Sequence, residues 1–289
     1  MINIASRFVP PHFASLFLLF LLGLTCLSGC APLPPEPTVQ IPKPKPPQPP
    51  KIAIALGGGG ARGFAHIGVI KALEAQGIQV DIVAGTSAGA VIGSVYASGL
   101  SGFQLQRMAL DIDESILFDW SLLARGGFIK GQALEEYINK QTRNRPIEEM
   151  KRSLGVVASD LRTGEKVVFR KGNVGMAVRA SSAIPGVFNP VQIRDREYVD
   201  GGVSSPVPVL AAREMGADFV IAVDVSQKPK WRKKPDDTLD ILFQTFTIMG
   251  NAISKQEMKQ ADVVISPQLA DIDPSSFQDR SQAILRGEE

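Results

Sequence analysis

The chain has little that binds metal or forms cross-links. Among 289 residues there are two cysteines and two histidines. That excludes a zinc finger and a multi-disulfide scaffold. It also lacks a charge field of one sign. Thirty-one basic residues stand against 29 acidic ones, a formal net charge of +2. A nucleic-acid footprint would need a basic field on one face, and none is built here. Hydrophobic residues make up 44% and charged residues 21%. Those shares exclude disorder throughout and a multi-span membrane protein, and the length suits one large α/β domain or two small ones. No internal repeat is present.

The apolar residues present are unevenly spread. No charged residue occurs from Phe8 to Pro35, and Phe13 to Thr25 reads FASLFLLFLLGLT. With Arg7 and the amino terminus as a positive flank, this run is short for a membrane span, which needs about 20 apolar residues. It suits a secretory leader. The run ends in Leu27-Ser28-Gly29-Cys30, which resembles the bacterial lipobox. The resemblance implies that Cys30 takes a diacylglycerol and becomes the mature N-terminus; the competing reading is an uncleaved signal anchor with an incidental cysteine. Ala31 follows, and in lipoproteins a residue other than Asp there implies passage to the outer membrane. The expected location is thus the bacterial cell envelope, lipid-anchored, on the outer membrane facing the periplasm. Cleavage after residue 29 removes His12 and Cys26, leaving His66 as the one histidine and Cys30 as the one thiol. An acylated Cys30 leaves no disulfide, so stability must come from packing.

Residues 31–50 contain ten of the 21 prolines. Such a run favours polyproline II at about 3.1 Å per residue, so it can hold a domain up to roughly 60 Å from an anchor. A proline-binding partner is the alternative use. The organisation expected is a leader over 1–29, a lipidated cysteine and linker over 30–50, and a folded domain over 51–289.

From Lys51 onward strands and helices alternate. Lys51–Leu56 and Val80–Ala84 read as strands, with helices over 62–76 and 88–97. This βαβα opening predicts a parallel sheet with right-handed crossovers. Helices follow over 103–113, 131–142, 206–215 and 239–259, and strands over 154–158, 166–169, 197–199, 219–223 and 261–265. The fold class expected is α/β, a three-layer αβα sandwich with a mostly parallel central sheet.

Three places carry chemistry. Gly57-Gly58-Gly59-Gly60-Ala61-Arg62-Gly63 lies between a strand and a helix start, where glycines bring N–H groups close to an anion. A dinucleotide site would want an acidic residue at the end of the second strand, but Asp81 begins that strand. A Walker loop is excluded, since no Gly-Lys-Ser/Thr follows. Gly85-Thr86-Ser87-Ala88-Gly89 is a GxSxG sequence between an apolar strand and an apolar helix, the context of a nucleophile elbow; a helix N-cap is the plainer role for Ser87. Asp200-Gly201-Gly202 follows a strand-like Glu197-Tyr198-Val199. It makes either an ordinary turn or a base. His66 precedes the serine, whereas α/β-hydrolase order puts histidine last, and it sits among Phe64, Ile67 and Val69 as a packed helix residue would. The base is therefore expected to be a carboxylate. A free aspartate, near pKa 3.9, serves only if held against the hydroxyl in a partly desolvated site.

Taken together, these residues resemble the bacterial patatin-like phospholipases, related to plant patatins, cytosolic phospholipase A and neuropathy target esterase. The resemblance runs from about Lys51 to about Ile265 and includes two further blocks, Ala158–Gly164 and Ser181–Phe188. It implies a serine acyl hydrolase with Ser87 as nucleophile and Asp200 as base. It places the oxyanion hole at Gly58, Gly59 and Gly60, with Arg62, Gly63, Gly85, Gly89, Gly201 and Gly202 shaping the loops. The implied substrate is a phospholipid or other acyl ester, cleaved through an acyl-enzyme. No cofactor or metal is expected, since no His/Cys cluster and no calcium-loop spacing occur. A lipid carrier without turnover, or a thioesterase or peptidase on the same scaffold, would use the same residues. Trp231 among Lys230, Arg232, Lys233 and Lys234 suits either an anionic headgroup layer or plain solvent.

Overall fold

A computed structural model of the chain describes residues 49–112, 131–229 and 238–289. The leader, Cys30, most of the Pro-rich run and residues 230–237 lie outside them. Five strands run parallel and form the body of the sheet: β1 (Ile52–Leu56), β2 (Ile82–Thr86), β3 (Ser153–Asp160), β7 (Phe219–Val223) and β8 (Val263–Ile265). β4 (Lys166–Phe169) returns antiparallel to β3, and β5 (Val191–Ile193) pairs with β6 (Arg196–Asp200).

Side-chain alternation sends the strands into two separate cores, as a period of two requires. Ile54, Leu56, Val83, Val156, Ile221 and Val223 face one core. Helices α1 (Ala65–Ala75), α2 (Ala88–Ala97), α3 (Gly102–Leu110), α4 (Gln132–Gln141), α5 (Val174–Ser181) and α8 (Arg280–Glu288) contribute to it. Ala53, Ala55, Ala84, Val157, Val220 and Ala222 face the other, against α6 (Val209–Glu214) and the end of α7 (Thr238–Met258). Two faces covered by helices make the expected αβα sandwich. Its unequal residue sizes, bulky on one face and alanine-rich on the other, let α6 sit close to the sheet.

One feature of the register positions the site. Val157 pairs with Thr86 of β2 and with Val168 of β4, while Ala158 pairs with Val167 of β4 and Asp200 of β6. Because β4 pairs with Val156–Ser159, across the point where β2 gives way to β6, β2 and β6 must share the other edge of β3, end to end. The last residue of β6 therefore meets the chain leaving β2.

Several expected bounds shift. The first helix begins as a 3-10 turn over Gly60–Phe64 before α1. The second strand is Ile82–Thr86, and Asp81 lies before it, with its carboxylate accepting from Ile52 N–H at 2.9 Å. The helix expected over 206–215 shortens to Val209–Glu214, because Pro206 and Pro208 precede it. β5, α5 and α8 were not expected at all.

Candidate active site

Ser87 is the single residue between β2 and α2, with φ 53° and ψ −120°. A non-glycine side chain in that region costs roughly 1–3 kcal/mol and persists only where its surroundings enforce it. Here the flanking glycines do so. A Cβ on Gly85 would collide with the Gly89 carbonyl, and one on Gly89 with the Leu56 carbonyl. The helix thus starts directly on the ends of β1 and β2, forcing the turn between them. Ser87 offers no N-cap hydrogen bond to its helix, so the N-cap role is not the one it plays. Its own N–H donates to Ser181 Oγ at 2.8 Å, and Ser181 Oγ donates to Val157 O at 2.5 Å. This tie from the elbow to β3 went unread in the sequence, although Ser181 lies in one of the two family blocks.

Asp200 ends β6. Its N–H donates to Ala183 O at 2.9 Å, its carbonyl accepts from Ser159 Oγ at 3.0 Å, and Oδ1 accepts from Gly202 N–H at 2.7 Å. Among the described residues, Oδ2 has no hydrogen-bond partner. Ser87 is near enough to hold the carboxyl pKa down somewhat, though not within ordinary hydrogen-bond geometry. Burial is the larger effect, and it pushes Asp200 up to about 6. Desolvation disfavours the charged form, which is how a weak base becomes a stronger one. Both side chains are nearly enclosed, at 7% exposure for Ser87 and 6% for Asp200.

The glycine loop passes beside the serine: a Cβ on Gly58 would touch Ser87 Cβ. Gly58 N–H, however, donates to Pro206 O at 3.0 Å. Of the three glycines expected to supply oxyanion donors, Gly58 is therefore committed elsewhere, one residue beyond Gly57, whose N–H extends the β1–β7 pairing to Val223 O at 3.0 Å. Among the described residues, Gly59 and Gly60 N–H have no backbone acceptor. Gly63 meets Ala88 and Gly201 meets Val157 too closely for a side chain at either glycine. Arg62 is buried and donates through Nε to Ile272 O at 2.7 Å, so it holds the loop to the C-terminal segment. Ala61 N–H, donating to Pro274 O at 2.8 Å, adds to that seam.

His66 is fully buried in α1, with Nε2 2.7 Å from Gly57 O. A carbonyl only accepts, so Nε2 carries the proton. Burial pushes the imidazole down to about 4, leaving it neutral. It braces the start of the glycine loop.

Ser87 opens onto an apolar cavity of about 150 Å³. Gly60, Phe64, Ala88, Val91, Met108, Leu134, Tyr137, Ile184, Phe188 and Phe277 line it. A strained hydroxyl, a raised carboxyl, free backbone N–H groups and an apolar chamber can together accept an acyl ester and stabilise the anion formed on attack. Among the described residues, no three His, Cys, Asp or Glu side chains gather as metal ligands would.

The family model described as patatin-like phospholipase matches residues 54–213. That span ends before the expected limit near Ile265. A protein of Mycobacterium tuberculosis named as an uncharacterized NTE family protein is 38% identical over 173 residues, covering 59% of this chain and 48% of that one. The human patatin-like phospholipase domain-containing protein 6 is 35% identical over 181 residues, covering 60% of this chain and 13% of that one. The chain thus spans about half the length of the first curated relatives it matches and a small part of the human one. Among solved structures, VipD from Legionella pneumophila aligns with a TM-score of 0.48 at 16% identity, covering 83% of this chain and 66% of that one. ExoU, in its complex with SpcU from Pseudomonas aeruginosa, aligns at 0.46 and 18%, covering 75% and 53%.

Proposed function

Since the chain belongs to the patatin-like phospholipase family, we propose that it is a serine acyl hydrolase acting on phospholipid or related acyl esters through a Ser87–Asp200 dyad. The observation that carries this is the meeting of β2 and β6 on one edge of β3, which sets a strained serine against a desolvated aspartate. Ser87 Oγ attacks the ester carbonyl while its proton passes to Asp200. The Gly59 and Gly60 N–H groups hold the oxyanion. Collapse expels the alcohol, with Asp200 returning the proton to it, and leaves an acyl ester on Ser87. Water, deprotonated by Asp200, then attacks the acyl ester; as the fatty acid leaves, Asp200 gives its proton back to Ser87 Oγ. The acyl chain lies in the cavity lined by Val91, Met108, Leu134 and Phe188. Single oxyanion donors of this kind are typically worth about 100–1,000-fold in rate.

We also infer a diacylglyceryl anchor at Cys30, supported by the leader and the Leu27–Cys30 sequence, and an envelope location facing the periplasm. A Pro-rich tether would let the domain reach the same membrane. Mass spectrometry of the mature N-terminus tests the anchor: a chain still starting at Met1, or a free Cys30 thiol, ends that reading.

The hydrolase reading is tested by labelling the whole protein with a fluorophosphonate and identifying the modified residue. Ser87 is expected. Modification of another residue, or labelling that survives Ser87→Ala, overturns the assignment.

A further inference from the structure

Helix α7 is apolar on the wrong side for a helix that only covers a sheet. Its inward residues, such as Asn251, Ser254 and Glu257, are buried. Its outward arc holds Ile241, Leu242, Phe246, Ile248 and Met249, between 36% and 56% exposed. No charged residue occurs from Ile241 to Ser254. Surface helices ordinarily turn charge outward, and a contiguous exposed apolar face marks an interaction site.

The fold places this face. α7 links β7 to its parallel neighbour β8, so it runs opposite to the strands, starting at the edge where they end. Gly250 already lies beside Pro206, and Asn251 Nδ2 donates to Gln227 O at 2.7 Å. Both partners are beyond the strand ends. The twelve residues before Gly250 therefore extend past that edge, about 18 Å of helix at 1.5 Å per residue. This is the edge at which Ser87 and Asp200 sit.

We propose that the first half of α7 is a docking element that lies in the surface of an anionic lipid bilayer. Charge argues for lipid over a second copy of the chain. The sequence entering the helix, Lys228 to Lys234, carries five basic residues and Trp231, against Asp236 and Asp237 just after. A basic run with Trp that precedes an apolar amphipathic helix in the sequence is the composition of an interfacial segment. Among the described residues, no helix is long and apolar enough to cross a membrane, so α7 lies on the surface. Docked this way, the catalytic edge faces the bilayer. The functional meaning rests on the acyl-hydrolase reading; the contact itself does not, and the test reads the two apart.

In the full chain carrying Cys26→Ser and Cys30→Ser, Thr245→Cys supplies one thiol on the outward arc for an environment-sensitive fluorophore. Vesicles of phosphatidylcholine with phosphatidylglycerol should shift its emission to the blue, and high salt should weaken the shift. A probe at Gln76→Cys, at the end of α1 and so at the opposite sheet edge, should stay unshifted. A circular dichroism melt confirms that each labelled chain is folded. No shift at 245, an equal shift at 76, or a vesicle-independent shift that follows protein concentration would overturn the proposal, the last pointing to a dimer. As a second measure, Ile241→Glu with Ile248→Glu should lower turnover of vesicle phospholipid about 10-fold while sparing a soluble short-chain ester; equal loss on both, or none, counts against docking. A shift at 245 with no turnover of either substrate would keep the docking and end the hydrolase reading.

Discussion

Among the described residues, two buried serine–carboxylate pairs lie near the strand ends, and the proposed dyad is one of them. Ser205 Oγ donates to Glu257 Oε1 at 2.6 Å, and burial pushes Glu257 up to about 7 against the pull of Ser205 and Lys166. Ser87 and Asp200 lie less tightly together, and the aspartate is raised less, to about 6. By hydrogen bonding and pKa alone, Ser205–Glu257 is the better dyad. It lacks everything else. Ser205 is fully buried. It is not among the non-glycine residues with positive φ, and the apolar cavity does not reach it. Its carbonyl accepts from Thr86 Oγ1 at 2.8 Å, which ties α7 to the base of the elbow. The lesson is that a hydroxyl beside a raised carboxyl is a structural joint unless strain, oxyanion donors and substrate space accompany it.

The sharpest way to break this contrast is to remove each acid in turn. Asp200→Asn keeps the side-chain size but cannot accept a proton. Its kcat on a soluble ester should fall roughly 100-fold or more, the scale of general-base catalysis. Glu257→Gln still accepts from Ser205, and kcat should stay within about threefold on the same scale. Comparable losses in the two folded variants would erase the distinction.

Varying pH sharpens it. Asp200 acts as a base only when ionised, so kcat/KM should rise as pH climbs through about 6 and level off above. Stability should run the other way. Both carboxyls are raised in the folded state and favour extra protons on the native protein up to about pH 7; the lowered His66 works the other way but offsets only one of them, so between about pH 5 and 7 the native protein still holds more protons than the unfolded chain. The melting temperature should therefore fall across that window. Glu257→Gln should flatten the upper part of the fall by a few degrees, since 1 kcal/mol is worth about 2–4 °C at this size. A Glu257→Gln melting temperature that falls as steeply as that of the wild type between about pH 5 and 7 would show that Glu257 is not desolvated.

A smaller effect on turnover than at Asp200 is expected at His66. His66→Ala opens a cavity in α1 and removes the brace on Gly57, so stability should drop by about 1–3 kcal/mol. Kcat should stay within about tenfold, far from a lost general base. A folded His66→Ala protein without activity, beside an active Asp200→Asn protein, would restore a histidine base.

Much of this was legible in the residues because it is local. The runs Ala88–Ala97, Lys166–Phe169 and Phe219–Val223 show their period and their breakers within a few residues, and the structure keeps those bounds. GxSxG and Asp-Gly-Gly were readable for a similar reason: each is a turn whose glycines make room for nearby backbone. α5 and β5 were missed because both are short, and β5 exists only through its pairing with β6. The end of the chain was left outside the family resemblance. In the structure α8 packs on α1, and Ile272 and Pro274 hold the glycine loop.

By itself the sequence determined the elements other than β5, α5 and α8, their order, the parallel sheet and the residue types able to act as nucleophile and base. Those follow from hydrophobic period and turn chemistry, which operate over a few residues. Tertiary structure decided which serine meets which acid, since Asp200 reaches Ser87 only where β6 takes over the β3 edge from β2, 113 positions along the chain. It also decided that Gly58 spends its N–H on Pro206 and that burial, greater than any local hydrogen bond, lifts Asp200 to about 6. Each of these depends on contacts between distant segments, and desolvation has no signature in the neighbours of a residue along the chain.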